Sequence, residues 1–157
     1  MTDRLRPRNE RFREVVAESF SRQTFLRLIR AELKTIEPGH VVVACPITDD
    51  LLQQAGILHA GVITTLADTA CGYAVLSLAE PDCDLVSVEF KVNMLAPGRG
   101  DSVEATGDVL RNGKSLAVAL GFVESIAADG TRQRIAQMQA TMLVRPRQGA
   151  KANEDVR

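Results

Sequence analysis

A single acid interrupts ILHAGVITTLADTACGYAVLSLA, residues 57–79: Asp68, in a run without Lys or Arg. At helical spacing, Gly61, Thr64, Thr65, Cys71, Gly72 and Val75 fall within about 60° of it. Ile63, Leu66, Ala70, Tyr73 and Ser77 fall on the far side. A carboxylate on such a stripe has room beside it for a ligand or for another backbone. His59, Ala60 and Gly61 open the predicted helix, and the unpaired N–H groups of a helix start form an oxyanion or anion site.

Asp68 follows Ala60 by eight residues, about 12 Å along a helix axis. A base or nucleophile and its oxyanion donors must both come within about 3 Å of one reacting group. One copy of this helix cannot meet that condition, whereas two antiparallel copies can. If both groups serve one reaction, the spacing implies a dimer with shared sites. Blander roles stay open: a structural Asp bonded to N–H groups or Thr hydroxyls, a capping His59, and a small-residue face for close helix packing.

The elements that must position these residues follow from periodicity. Residues 9–30 carry apolar positions at helical spacing, interrupted near Ser19–Ser21. AELKTIEPGHVVVACPI predicts two strands joined at Pro38-Gly39. The link TDDLLQQAG leads to the apolar helix, expected from about Ala60 to Ala79. Four strands follow, near 85–95, 102–110, 115–126 and 131–144, with Val88, Phe90, Val92 and Met94 alternating against Ser87, Glu89, Lys91 and Asn93. Asn112-Gly113 reads as a two-residue type I′ hairpin turn, and Asp129-Gly130 as a second turn. The expected architecture is α+β, a hotdog: an antiparallel meander and two further strands wrapped around the long apolar helix.

At 157 residues and 45% hydrophobic content the chain has enough material for one compact domain. Its net charge of −1 divides unevenly. Residues 1–30 hold eight Arg and four acids (+4), and residues 145–157 hold four basic and two acidic residues (+2), which leaves −7 between them. The N-terminal Arg residues alternate with Glu and lack aromatic or Gly-rich company, so a solvated helix face is expected and no nucleic-acid partner. Residues 57–79 match a membrane span in length, but an acid near the centre costs about 2.5–3.5 kcal/mol there. No span is expected. Cys45, Cys71 and Cys83 form no CxxC pair and, with no leader-like segment ahead of them, predict reduced thiols in the cytoplasm.

GILHAGVITTLAD, SVEFKVNMLAPGRG and RNGKSLAVALGFV together resemble the hotdog acyl-CoA thioesterases of the phenylacetate-degradation, PaaI-like type, over roughly residues 20–145. The family motif is approximately N-x-x-G-x-x-H-G-G, six residues, then Asp. Gly56, His59, Gly61 and Asp68 match it in place, while Ala60 stands at the first Gly after His and Gln53 at the Asn. The resemblance implies that Asp68 is the general base or nucleophile of thioester hydrolysis, and that the Ala60 N–H at the helix start, with Gly61, polarises the carbonyl. His59 would position that carbonyl or the leaving thiol, Ser87 the attacking water, and Gln53 the substrate. Thr65, Val88, Asn112, Gly113 and Lys114 would be substrate or coenzyme A contacts, and Arg99 or Arg111 would meet phosphates. Ala60 keeps a backbone donor, and Gln53 offers the same amide one methylene further out.

The expected activity is acyl-CoA hydrolysis without a metal or separate cofactor, coenzyme A entering as part of the substrate, in a homodimer or dimer of dimers. A non-catalytic acyl-CoA sensor and an acyl-thioester hydratase or dehydratase are the alternatives. Residues 1–30 are expected as an N-terminal helical segment, 31–145 as the thioesterase domain and 146–157 as a flexible tail.

Overall fold

In the computed structural model, which describes residues 5–147, the alternation of the 32–46 region becomes β1 (Glu32–Glu37) and β2 (His40–Pro46). Their turn relies on Gly39 at φ 74°, a conformation open to Gly at no steric cost. The apolar run becomes α3 (Ala60–Leu76), three residues shorter than expected. Ser77 stops it: its hydroxyl donates to the Ala74 carbonyl (2.6 Å) and accepts from the Gly39 N–H (2.8 Å). The next two residues close 3₁₀-type bonds to Val75 and Leu76.

Four long strands follow: β3 (Cys83–Met94), β4 (Ser102–Asn112), β5 (Leu116–Ile126) and β6 (Arg132–Pro146). All pairs are antiparallel, in the order β1-β2-β4-β5-β6-β3. The expected four-strand meander is therefore only β4-β5-β6. β3 instead pairs with β6, at the far edge. The 95–101 link carries the chain across, past the helix start, where the Leu58 N–H bonds the Gly98 carbonyl (2.9 Å). Splitting β3 from β4 lets one sheet close around α3, which packs on β2 through β6. The expected hotdog is the observed fold.

The two hairpins differ from their sequence signals in detail. Neither Asn112 nor Gly113 adopts positive φ, so no type I′ turn forms. Asn112 pairs instead with Ala117 across a four-residue loop, closed by the Gly113 N–H on the Leu116 carbonyl (3.0 Å). A bulge between Val109 and Arg111 shifts the register and makes the longer loop necessary. At Asp129-Gly130 only Gly130 is left-handed, at φ 84°.

Residues 12–28 form α1 (Phe12–Ser21) and α2 (Thr24–Leu28), with the expected break between them. Arg11 and Arg22 pair with Glu14 and Glu18 along a solvated face. On the opposite face Val16, Leu26 and Ile29 enter the same core as Leu66, Ala70, Val103 and Met138. Most of the expected tail, from residue 148 onward, lies outside the described residues, while Pro146 still belongs to β6. Among the described residues no helix is long and apolar enough to cross a membrane.

Candidate active site

Asp68 is positioned from below by glycines. Gly107 of β4 and Gly121 of β5 sit opposite each other in the register. A Cβ on Gly107 would collide with the backbone of Ala70 and Cys71, and one on Gly121 would lie 3.0 Å from Cys71 Sγ and 3.4 Å from the Ala67 carbonyl. The helix segment around Asp68 therefore rests almost directly on the sheet backbone. Ala67, Ala70 and Cys71 are fully buried there, so Cys71 and Val75 belong to the packed side and not to an open stripe. The half-open side consists of Gly61, Thr64, Thr65, Asp68, Thr69 and Gly72.

Asp68 is half-buried, and Ser87 donates its hydroxyl to Asp68 Oδ1 at 2.8 Å. Burial pushes the Asp68 carboxyl above its ordinary value, and the Ser87 hydrogen bond offsets part of that shift. Strict alternation would put Ser87 on the face of Glu89, Lys91 and Asn93, away from the helix. A bulge between Ser87 and Glu89 reverses this: Ser87 turns toward Asp68 while Glu89 accepts from Thr141 on the outer face (2.5 Å). Bulges commonly re-aim a side chain in this way beside active sites. Val88 is the extra residue and is 56% exposed.

The helix start is a separate place. The loop from Leu51 to His59 folds back on itself, with Gly56 at φ 67° and the Gln53 N–H on the Ile57 carbonyl (2.9 Å). His59 is the N-cap, its Nδ1 accepting from the Gly61 N–H at 2.9 Å. A Cβ on Gly61 would meet that ring nitrogen at 3.0 Å, so the glycine makes room for the cap. The Val62 and Ile63 N–H groups bond the His59 carbonyl. Gly61 is thus committed, and the Ala60 N–H is the one helix-start donor without a partner among the described residues.

Two cavities separate these groups. Asp68 and Ser87 line one of ≈ 420 Å³, between α3, α1–α2 and the ends of β3 and β6. Gln53 and Ala60 line another of ≈ 320 Å³, with Ile57, Ile63 and the 94–98 link. Arg99 stands near the helix start, its guanidinium 3.4 Å from the Gly56 carbonyl. Arg111, Asn112, Gly113 and Lys114 lie at the opposite end of β4, about 33 Å of strand away. One chain therefore brings together Asp68 with Ser87, and Gln53 with Ala60, but not the two pairs with each other.

Sequence reasoning missed the glycine pair, although both residues fall at inward positions of adjacent strands. It also missed Gln23, Tyr73 and Arg145 as cavity residues, because their meeting depends on where α1–α2 docks. Cys45 and Cys71 are buried, with burial pushing their thiols up to about 11 and about 12. They are packing residues.

Residues 55–125 match the family described as the Thioesterase superfamily. The chain is 33% identical over 90 residues to a 1,4-dihydroxy-2-naphthoyl-CoA hydrolase of Listeria monocytogenes, covering 57% of this chain and 73% of that one. Human acyl-coenzyme A thioesterase 13 is 29% identical over 107 residues, 67% of this chain and 76% of that one. Among solved structures, a thioesterase family protein of Silicibacter pomeroyi superposes with TM-score 0.83 at 38% identity, covering 85% of this chain and 97% of that one.

Proposed function

The chain belongs to the thioesterase superfamily, and on that footing we propose that it hydrolyses acyl-CoA thioesters at Asp68, in a site completed by a second copy. Water and R–CO–S–CoA give R–COO⁻, a proton and HS–CoA. The observation that carries this reading is a half-buried carboxylate with a raised proton affinity, held by Ser87 at the wall of a cavity. Burial makes such a group a better base near neutral pH than a solvated Asp.

With Oδ1 engaged by Ser87, Oδ2 is the oxygen left to take the water's proton. In the nucleophilic variant it attacks the carbonyl instead, and water then cleaves the resulting anhydride. Oxyanion stabilisation falls to the Ala60 N–H of the second copy, backed by the helix dipole. His59 uses Nδ1 in the cap, which leaves Nε2–H to face the thioester carbonyl or the leaving thiol. Gln53 and Thr65 then help orient the acyl thioester. Val88, Arg99 and the Arg111–Lys114 turn are the contacts assigned to coenzyme A.

The proposed dimer has support in β3. Among the described residues its outer edge pairs with nothing, yet Val86, Val88, Phe90 and Met94 are exposed along it. A long apolar edge strand is a template for another chain. The other edge, β1, is guarded by a Glu32–Lys34 ion pair (2.8 Å). Three unpaired thiols suit a reducing compartment, the cytoplasm.

Thiol release from a panel of acyl-CoAs tests the activity. Wild type should turn over at least one of them, and Asp68→Asn should lose about 10²-fold or more. Binding without release would instead mark a sensor, and undiminished turnover by Asp68→Asn would remove the role given to that residue.

A further inference from the structure

The cavity beside Asp68 is not a hydrocarbon tunnel. It runs along α3 from Asp68 past Thr69, Gly72 and Tyr73 to Leu76, about 12 Å of helix. Leu85 and Met142 give it apolar walls. Its far end is polar. There Gln23 donates its amide to the Tyr73 hydroxyl at 2.6 Å, on a residue only 5% exposed.

Three arginines line the same end, with different commitments. Arg147 is held by Asp84 at 3.1 Å, and Arg22 lies 3.7 Å from Glu18. Arg145 has no ion-pair or hydrogen-bond partner for its side chain among the described residues. Gln23 and Arg145 are both exposed, so an alkyl tail reaching that end would meet hydrated polar groups and gain no bond from either. A carboxylate there would accept charge-assisted hydrogen bonds in the fork geometry of arginine.

We propose that the acyl group cleaved at Asp68 is short and ends in a carboxylate, which Arg145 receives at the far end of this slot. The substrate class is then the mono-CoA thioester of a dicarboxylic acid. The inference rests on the thioesterase reading for the placement of the thioester at Asp68. A slot of ≈ 420 Å³ suits such an acyl group and is too small for the nucleotide and its pantetheine arm as well. Arg145 and Gln23 both lie outside the 55–125 family match.

The test compares glutaryl-CoA and adipyl-CoA with butyryl-CoA and hexanoyl-CoA. Both kcat/KM of the wild type and binding to Asp68→Asn protein are measured, along with binding of free CoA. The expected result is at least a tenfold preference for the carboxylate-ended thioesters, in turnover and in binding. Arg145→Gln should collapse that preference by about tenfold, and Gln23→Leu by a smaller factor. Equal or better handling of the alkyl thioesters overturns the proposal and leaves the thioesterase reading intact. So does an Arg145→Gln loss shared equally by all thioesters and free CoA, which assigns the arginine to a phosphate. If no thioester is hydrolysed but the binding preference and its loss on Arg145→Gln are seen, the ligand class stands and the thioesterase reading fails.

Discussion

Ser87 donates to Asp68 Oδ1 across 2.8 Å from a strand whose outer edge is unpaired among the described residues. The partner of the acid thus rides on the element best suited to joining a second chain. In the proposed dimer, association through β3 would be mechanically linked to the set of the carboxylate. Met142 Sδ, 3.4 Å from the same hydroxyl, backs it from β6.

In the proposed mechanism the raised carboxyl of Asp68 would set the acid limb of turnover. Hydrolysis needs the ionised form, so kcat/KM should fall with decreasing pH at values above the ordinary carboxylate range. The Ser87 hydrogen bond favours the charged form. Ser87→Ala should therefore move the limb to still higher pH, with turnover on the plateau reduced on the order of tenfold. A pH–rate profile of the two proteins reads both effects, and an unmoved limb would uncouple the pair.

Asp68 should also cost stability at neutral pH. Between its ordinary and its raised value the folded chain holds a proton that the unfolded chain has released. The stability tied to this group is complete below the ordinary range and declines as pH rises through the raised value. Asp68→Asn, which keeps an acceptor for Ser87, should melt a few degrees higher than wild type at pH 7. In thermal melts at pH 3 the difference should disappear.

Shared sites predict complementation between two dead chains. Ala60→Pro removes the helix-start N–H at the helical position that best tolerates proline, and Asp68→Asn removes the acid. Each alone should be inactive. In a mixed dimer one site has both groups intact, so co-refolded equimolar chains should recover about a quarter of wild-type turnover at random pairing. A site within one chain would recover nothing.

Gly107→Ala would force a methyl group into the Ala70–Cys71 backbone. The helix must rise or the sheet must bend, at a cost of about 3 kcal/mol. Denaturant melts should show the loss. The structural consequence should be largest at Asp68, seen as turnover lost beyond what the unfolded fraction explains.

The outline of this fold was legible because its signals are local and strong. A near-uniformly apolar helix and strands of alternating character require the helix to be covered by the sheet. Pairing order was less legible: β3 and β4 are neighbours in sequence but not in space, a choice made by wrapping around α3. The Ser87 bulge defeated simple alternation, since one extra residue flips every side chain that follows. The distance from Ala60 to Asp68 could be read from helix rise alone, and the two cavities agree with it. The polar end of the slot could not be read this way, because Gln23, Tyr73 and Arg145 are far apart in sequence and meet only through tertiary docking.

The Gly107–Gly121 pair has a further consequence for how such a protein can diverge. Most core elements are spaced by side chains, so each substitution in a lineage nudges its neighbours and the errors accumulate. Here the helix is referenced to bare backbone within one turn of Asp68, like a part seated on a machined datum. Drift elsewhere in the core can reshape the cavity beside Asp68 while the height of the acid above the sheet stays fixed.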